Sequence, residues 1–423
     1  MLRVEEGSRP APSMTRVTAR HAARIGHRRL VVIAFCGVLL VSLAVQPVRA
    51  LFDSRDTDYV SAYSVAALML AHGDRCIYCP ADQLQTQRQV TGTVAGQLEK
   101  PNPYENAPLG AWLLEPLAGL PPTVGLAVFL CLCVAALSAA TLVLFRSLRA
   151  VMSRRHAALI LVASVASLPA GASVAIAGWD PLLLLPAALA LALVRRHPGI
   201  AGALLGIVAL KPQLVWLVVP LALVAANWWL LGGMLAAAGA WALTAIAVVG
   251  PEHLLDWPRL LLTVPYAETP ATLGLPGLVA VLTSSSALGD GLAGVLLIVG
   301  ATIAFRIRGG LRRDPAGLIA LGITLSLVCS PHLWPADLLI AAVPLCALAR
   351  TRAGTALALA VAGSGAWLVA ALAGPIWLHL ETAVLLFLAV SVCRQVAALA
   401  QPDRWGSALT RIGAPPPEPA PAA

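Results

Sequence analysis

Apolar runs recur along the whole chain, separated mostly by short segments in which arginine is the dominant charged residue. They lie at about 30–48, 121–145, 157–177, 181–194, 199–210, 213–226, 230–249, 289–305, 316–329, 337–349, 354–373 and 376–393. An α-helix needs about 20 predominantly apolar residues to cross a bilayer. Runs in this number predict an all-α membrane protein, a polytopic helical bundle of about 12 transmembrane helices. Composition agrees: 59% of the 423 residues are hydrophobic and 12% are charged, whereas a soluble domain carries about 25% charged residues. A water-soluble enzyme, a disordered chain, collagen and a nucleic-acid-binding domain are thereby excluded as the main architecture.

The net charge of +9 is meaningful only by position. Residues 1–28 form an arginine-rich arm with no apolar periodicity, expected to stay cytoplasmic. The run from Leu30 to Val48 reads as a retained signal anchor rather than a cleaved signal peptide, although Val48-Arg49-Ala50 loosely mimics a cleavage site. The later clusters are Arg146/Arg149/Arg154/Arg155, Arg195/Arg196, Arg306/Arg308/Arg312/Arg313, Arg350/Arg352 and Arg394. Each falls where alternation from a cytoplasmic N-terminus puts the cytosol, so the basic excess is a topology signal and no nucleic-acid partner is expected. The expected organisation is a cytoplasmic arm (1–28), a membrane catalytic domain (29–398) whose first extracytoplasmic loop spans 51–120, and a Pro-rich cytoplasmic tail (399–423). The chain would be multi-pass in the cell (inner or plasma) membrane, with both termini cytoplasmic. The runs at 181–194 and 199–210 are short for a bilayer and are expected to be broken, re-entrant or sunk in a water-filled vestibule.

Once the cytoplasmic arginines are set aside, Asp58, Asp180, Lys211, Glu252, Asp256, His332 and Asp337 remain within or beside apolar runs, and all map to the outer side. A charge at membrane depth costs at least about 2.5 kcal/mol, which favours a functional reading. Lys211 is one of only two lysines among 29 basic residues, so an ammonium is specifically wanted there. It reads either as a point charge for a phosphate, with Pro212 breaking the helix beside it, or as a lysine snorkelling from a helix end. Ser330-Pro331-His332-Leu333-Trp334-Pro335-Ala336-Asp337 reads either as a functional turn or as an interfacial one. Asp58 opens a segment with Tyr59 and Tyr63 that suggests an interfacial helix, where it serves as an N-cap or as an exposed general base, a role Asp53 or Asp56 would be able to share. Cys76 and Cys79 in the outer loop permit a disulfide but are too few for a zinc site, and no phosphate loop, paired-His metal motif or nucleophile elbow occurs.

One order of residues carries a resemblance. Asp58-Tyr59 with Tyr63 is followed by Gly73 and Tyr78, then by Asn102-Pro103-Tyr104-Glu105-Asn106-Ala107-Pro108 leading into Leu113-Leu114-Glu115-Pro116-Leu117 and Leu120-Pro121. Ala201-Gly202 through Lys211-Pro212 come next, and finally Ser330-Pro331-His332 with Asp337. Over about residues 50–350 the chain resembles glycosyltransferase family 87, polyprenyl-phosphate-mannose-dependent mannosyltransferases of the C-type membrane fold. The resemblance implies a hexose, mannose above all, moved from a polyprenyl-phosphate-sugar donor in the lipid bilayer to a glycolipid or polysaccharide acceptor outside, with inversion. It implies Asp58 as base, Lys211 and His332 as donor-phosphate partners, and Tyr63, Tyr104, Asn106, Asp180 and Asp337 as substrate-binding residues. The leaving polyprenyl phosphate already carries charge, so no metal and no cofactor is expected. The alternative from another class is a transporter or lipid flippase, which would set its ionisable groups near the midplane with access from both sides; here they gather at one face beside a long loop.

Overall fold

The computed structural model describes residues 57–72, 77–92, 101–165, 167–251, 255–263 and 272–400, with the single positions 37 and 45. The basic arm, most of the run at 30–48, Asp53, Asp56, Cys76, Glu252 and the tail beyond residue 400 lie outside the described residues. Three helices come from the polar segment: α1 (Asp58–His72), α2 (Pro80–Thr91) and α3 (Pro108–Ala118). They are followed by α4 (Pro122–Arg149), α5 (Arg154–Val165), α6 (Leu168–Ala175), α7 (Asp180–Leu193), α8 (Pro198–Val208), α9 (Val218–Val224) and α10 (Trp228–Val249). The remainder comprises α11 (Asp256–Thr263), α12 (Gly274–Thr283), α13 (Ser286–Arg306), α14 (Arg308–Arg313), α15 (Pro315–Cys329), α16 (Ala342–Ala373) and α17 (Leu380–Ala400), with 3-10 turns at Pro212–Leu214, Pro335–Ala341 and Pro375–His379. Proline opens α2, α3, α4, α8, α15 and all three turns. At a first helical position its missing N–H is one that would have no intrahelical partner anyway, and its fixed φ suits the helix.

Five stretches among the described residues are long and apolar enough to cross a membrane: Pro122–Arg149, Trp228–Val249, Ser286–Arg306, Pro335–Ala370 and Ile376–Ala400. A sixth results if α5 and α6, bent by 49° at their junction, count as one. The expected twelve spans are therefore not reproduced, and the reason is length. The runs at 181–194, 199–210 and 316–329 fold as helices of 14, 11 and 15 residues, and 213–226 as a 3-10 turn followed by a seven-residue helix. The runs at 337–349 and 354–373 fall in one helical stretch whose backbone leaves the helical region at Arg352 (φ −135°, ψ 61°), between the two runs.

Burial follows each helix's place. Nearly all of α15 is buried, as a helix apolar on every side must be at the centre of a bundle. On α4, Leu126, Phe129, Leu130, Cys133, Leu137, Ala140 and Leu144 face inward while Val124, Val128, Leu132 and Leu142 are exposed. Trp229, Leu243, Ile298, Leu372 and Phe387 are more exposed still, a sheath that suits lipid and not water. Helices α8 and α10 meet through glycine: a β-carbon on Gly202 would collide with the Leu230 carbonyl, and one on Gly233 with the Gly199 carbonyl. Small residues let helix backbones approach this closely in lipid. Gly233→Leu should force the pair apart and lower the thermal midpoint of the detergent-solubilised protein. Gly239→Leu, where a β-carbon meets nothing within 4 Å, should not. Equal midpoints for the two variants would refute the interlock.

The arginine turns gather at one end of the bundle. Arg195 pairs with Asp314 at 3.2 Å, the Arg312 Nε–H donates to the Ala225 carbonyl at 3.0 Å, and Arg313 donates to the Leu399 carbonyl at 2.8 Å. Helix α7 runs from Asp180 to this end, so about 20 Å of helix separates Asp180 from the arginines.

Candidate active site

Helix α2 fixes the segment that leads into α3. Buried Gln83 donates to the Ile77 carbonyl at 2.6 Å and accepts from the Tyr104 amide at 3.1 Å. Gln87 likewise grips both backbone groups of Asn102, at 2.7 and 2.9 Å. Asn102 Nδ2 then donates to the Thr57 carbonyl at 3.3 Å, which ties the start of α1 to the same clamp. The Asp58 amide donates to the Ile176 carbonyl at 2.8 Å, so the first residue of α1 is held against the turn between α6 and α7. In that turn Ala177 takes a left-handed φ of 47°, a conformation costly for alanine, and Gly178 follows with its amide bonded to the Ser173 carbonyl at 2.8 Å.

Three segments far apart in sequence meet next to this turn. Lys211, between α8 and the 3-10 turn at Pro212, donates to Asp180 Oδ1 and Oδ2 at 3.2 and 3.0 Å and to Asp337 Oδ1 at 2.9 Å. Both carboxylates are fully buried and the lysine is 6% exposed. Ser173 donates to Asp180 Oδ2 at 3.3 Å, and Asp337 Oδ2 accepts from the Trp334 amide at 3.0 Å. The Ser330–Asp337 segment is pinned by a bond from the Leu273 amide to the Leu333 carbonyl at 2.7 Å, and Gly274, at φ 80°, lies too close to the Ser330 carbonyl for any side chain. Asp58 sits beside this cluster but is only half-buried. A β-carbon built on Gly178 would be 3.4 Å from Asp58 Oδ2 and 3.2 Å from Asp180 Oδ2, so the two oxygens are no farther apart than those distances added together. Helix α1 lies outside the five candidate spans. Its Asp58 carboxyl is pushed up to about 6 by burial, with Lys211 opposing the shift and Asp180 adding to it.

Of the residues expected from sequence, Asp58, Asp180, Lys211 and Asp337 thus come together. His332 is half-buried five residues before Asp337, its amide donating to Ser330 Oγ at 3.2 Å. Tyr63 and Tyr104 are turned to the interior, their hydroxyls donating to the Leu120 and Ala107 carbonyls at 2.7 Å. They brace the backbone. The Asn106 carbonyl accepts from the Tyr78 hydroxyl at 2.9 Å, while its side chain is half-buried. Asp256 pairs with Arg259 on α11 at 3.5 Å and is not among the residues bonded to Lys211. Cys79 is disulfide-bonded, and its partner is outside the described residues.

Sequence reasoning missed Glu105. Its carboxyl is pushed up to about 7 by burial and by the nearby charge of Asp58, against a hydrogen bond from the Trp334 side chain and the charge of Lys211. Its carbonyl accepts from Trp257 Nε1 at 2.8 Å. Glu105 stands in a loop rich in acids, and neither its spacing nor its neighbours single it out. Among the described residues no three His, Cys, Asp or Glu side chains are gathered as metal ligands, and the Lys211 ammonium occupies the place between Asp180 and Asp337 where a cation would sit.

The family model for glycosyltransferase family 87 matches residues 104–331, more than half of the chain. The chain belongs to glycosyltransferase family 87. Neither a curated protein nor a solved structure matches it. As a family 87 member it is a membrane glycosyltransferase, with a sugar donor and an acceptor as its partners. The matched stretch contains Glu105, Asp180 and Lys211 and ends at Pro331, one residue before His332.

For a family 87 enzyme the arrangement has definite chemical capacities. A half-buried carboxylate with an elevated proton affinity is suited to take a proton from an incoming hydroxyl. Beside it, two carboxylates share one ammonium. The Lys211 ammonium already donates to both carboxylates, to Asp180 through both of its oxygens. An anionic ligand reaching Lys211 meets two carboxylates already held there.

Proposed function

We propose that this family 87 enzyme transfers a hexose, mannose first among the candidates, from a polyprenyl-phosphate-linked donor to a hydroxyl of a glycolipid or glycan on the extracytoplasmic side. Asp58 takes the acceptor proton, the acceptor oxygen attacks the anomeric carbon from the face opposite the phosphate, and the bond to the phosphate oxygen breaks. One displacement inverts the anomeric centre, in parallel with inverting glycosidases. The polyprenyl phosphate leaves with the bonding electrons, and Lys211 and His332 take up the growing charge as the phosphate exchanges for a carboxylate at Lys211. Asn106, Asp180 and Asp337 contact the sugar or acceptor in that open state.

The observation that carries this reading is the half-buried Asp58 carboxylate beside the Asp180–Lys211–Asp337 cluster, at the opposite end of α7 from the arginines. Short cytoplasmic loops are enriched in arginine, which supports placing the cluster on the outer side of a multi-pass protein of the cell membrane. Membranes containing the protein are expected to transfer labelled mannose from polyprenyl-phosphate-mannose to a lipid-extractable acceptor, in preference to arabinose or glucose from the matching carriers. Transfer from a nucleotide sugar in membranes lacking any polyprenyl carrier would defeat the donor assignment. Preference for another sugar would correct the hexose alone.

A further inference from the structure

A second polar group is buried in the bundle, away from the residues that hold Lys211. Glu381, in the first turn of α17, is 4% exposed, and its Oε1 has no hydrogen-bond partner among the described residues. Neither has the Oγ of Ser364 on α16, which is also 4% exposed. Both line one small cavity of about 40 Å³ that is partly open to the surroundings. Its remaining wall is mostly apolar, including Leu338, Leu345, Leu359 and Leu385, and among the described residues it contains no Lys, Arg or His. Gly363 makes room for the carboxyl: a β-carbon there would press to 3.1 Å from Glu381 Oε2. Buried polar atoms are nearly always partnered, and leaving one unmet costs about 1–3 kcal/mol.

We propose that this cavity is a binding site for the hydroxyl-bearing end of an amphiphile taken from the bilayer. A hydroxyl both donates and accepts, so one group serves the Glu381 carboxyl and the Ser364 hydroxyl together. An ammonium would donate to both as well, but bringing its charge to membrane depth costs at least about 2.5 kcal/mol, and a hydrocarbon serves neither. The leucine wall takes the adjoining chain, and the flanking helices supply the route, since Leu368, Leu372, Phe387 and Val390 on α16 and α17 are exposed apolar residues that suit lipid. The wall also includes Leu338, the residue after Asp337, so the cavity adjoins the turn that supplies one carboxylate to Lys211.

The test uses the full-length protein in phosphatidylcholine nanodiscs and three photoreactive probes of equal chain length: an alkanol, an alkylamine and a plain hydrocarbon. Labelled peptides are located by mass spectrometry. The alkanol is expected to label segments 359–364 and 381–388 at least roughly tenfold more than the hydrocarbon, the worth of one well-made buried hydrogen bond. Glu381→Leu should bring alkanol labelling down to the hydrocarbon level, and Glu381→Gln, which keeps a donor and an acceptor, should retain it. Leu385→Trp, which fills the cavity and leaves the carboxyl in place, should block labelling there and carries the test if the Leu variant does not fold. Equal labelling by the hydrocarbon, stronger labelling by the amine, or labelling that persists in Leu385→Trp would overturn the proposal.

Discussion

Asparagine in place of Asp58 is expected to lower sugar transfer by roughly 10²–10⁴-fold, the usual worth of a positioned general base. The amide matches the carboxylate in size, and the backbone bond from residue 58 to the Ile176 carbonyl is unaffected, so expression and thermal midpoint should stay at wild-type values. The pH profile gives a second readout. With the carboxyl pushed up to about 6, Asp58 is protonated and unable to accept a proton below that pH. The kcat/KM of the wild type should therefore rise as pH increases through about 6 and level off above it. The residual activity of Asp58→Asn should lack that limb. Full activity in the variant, or the same limb in both proteins, would remove Asp58 from the reaction.

Lys211→Met is expected to act on stability before it acts on chemistry. Asp180 and Asp337 are fully buried and share the ammonium at 3.0 and 2.9 Å, so removing it strands two carboxylates in the interior. Breaking a buried ion pair from one side costs about 3–5 kcal/mol, because the remaining charge keeps its desolvation penalty without compensation. The solubilised variant should show a large drop in thermal midpoint. The triple variant Lys211→Met, Asp180→Asn, Asp337→Asn should recover much of it, since neutral amides replace the stranded charges. A single variant as stable as the wild type would show that the cluster does not hold these segments together.

How much of this was legible in the sequence depended on whether a feature was local. Apolar runs are local, and nearly every run within the described residues became a helix in the expected place. Whether a run reaches across a bilayer depends on a few residues at each end, and there the count failed: Pro198 and Lys211-Pro212 bracket α8 so closely that only eleven residues are helical. Lys211 stood out because arginine fills almost every other basic position. Asp180 and Asp337 were each visible and expected on the same face as Lys211, but their direct bonds to it were not, since they lie 31 and 126 residues away and no short-range pattern links them. Tyr63 and Tyr104 were expected to meet substrate, and only the folded chain reveals that carbonyls of nearby backbone hold their hydroxyls. Glu381 was passed over although it lies within the run at 376–393: an acid in a first helical turn is ordinary, and only packing reveals that its oxygen is unmet.

The brevity of α7 has a consequence for what can approach Asp58. Fourteen residues of helix extend about 20 Å, whereas the hydrocarbon layer is about 30 Å deep. If the arginine turn rests at one headgroup layer, the far tip stops well beneath the other, and the carboxylates stand at the foot of a well. In the proposed reaction a carrier phosphate would then have to dip below the headgroup layer to reach them, and the second substrate would have to be lowered in from the aqueous side.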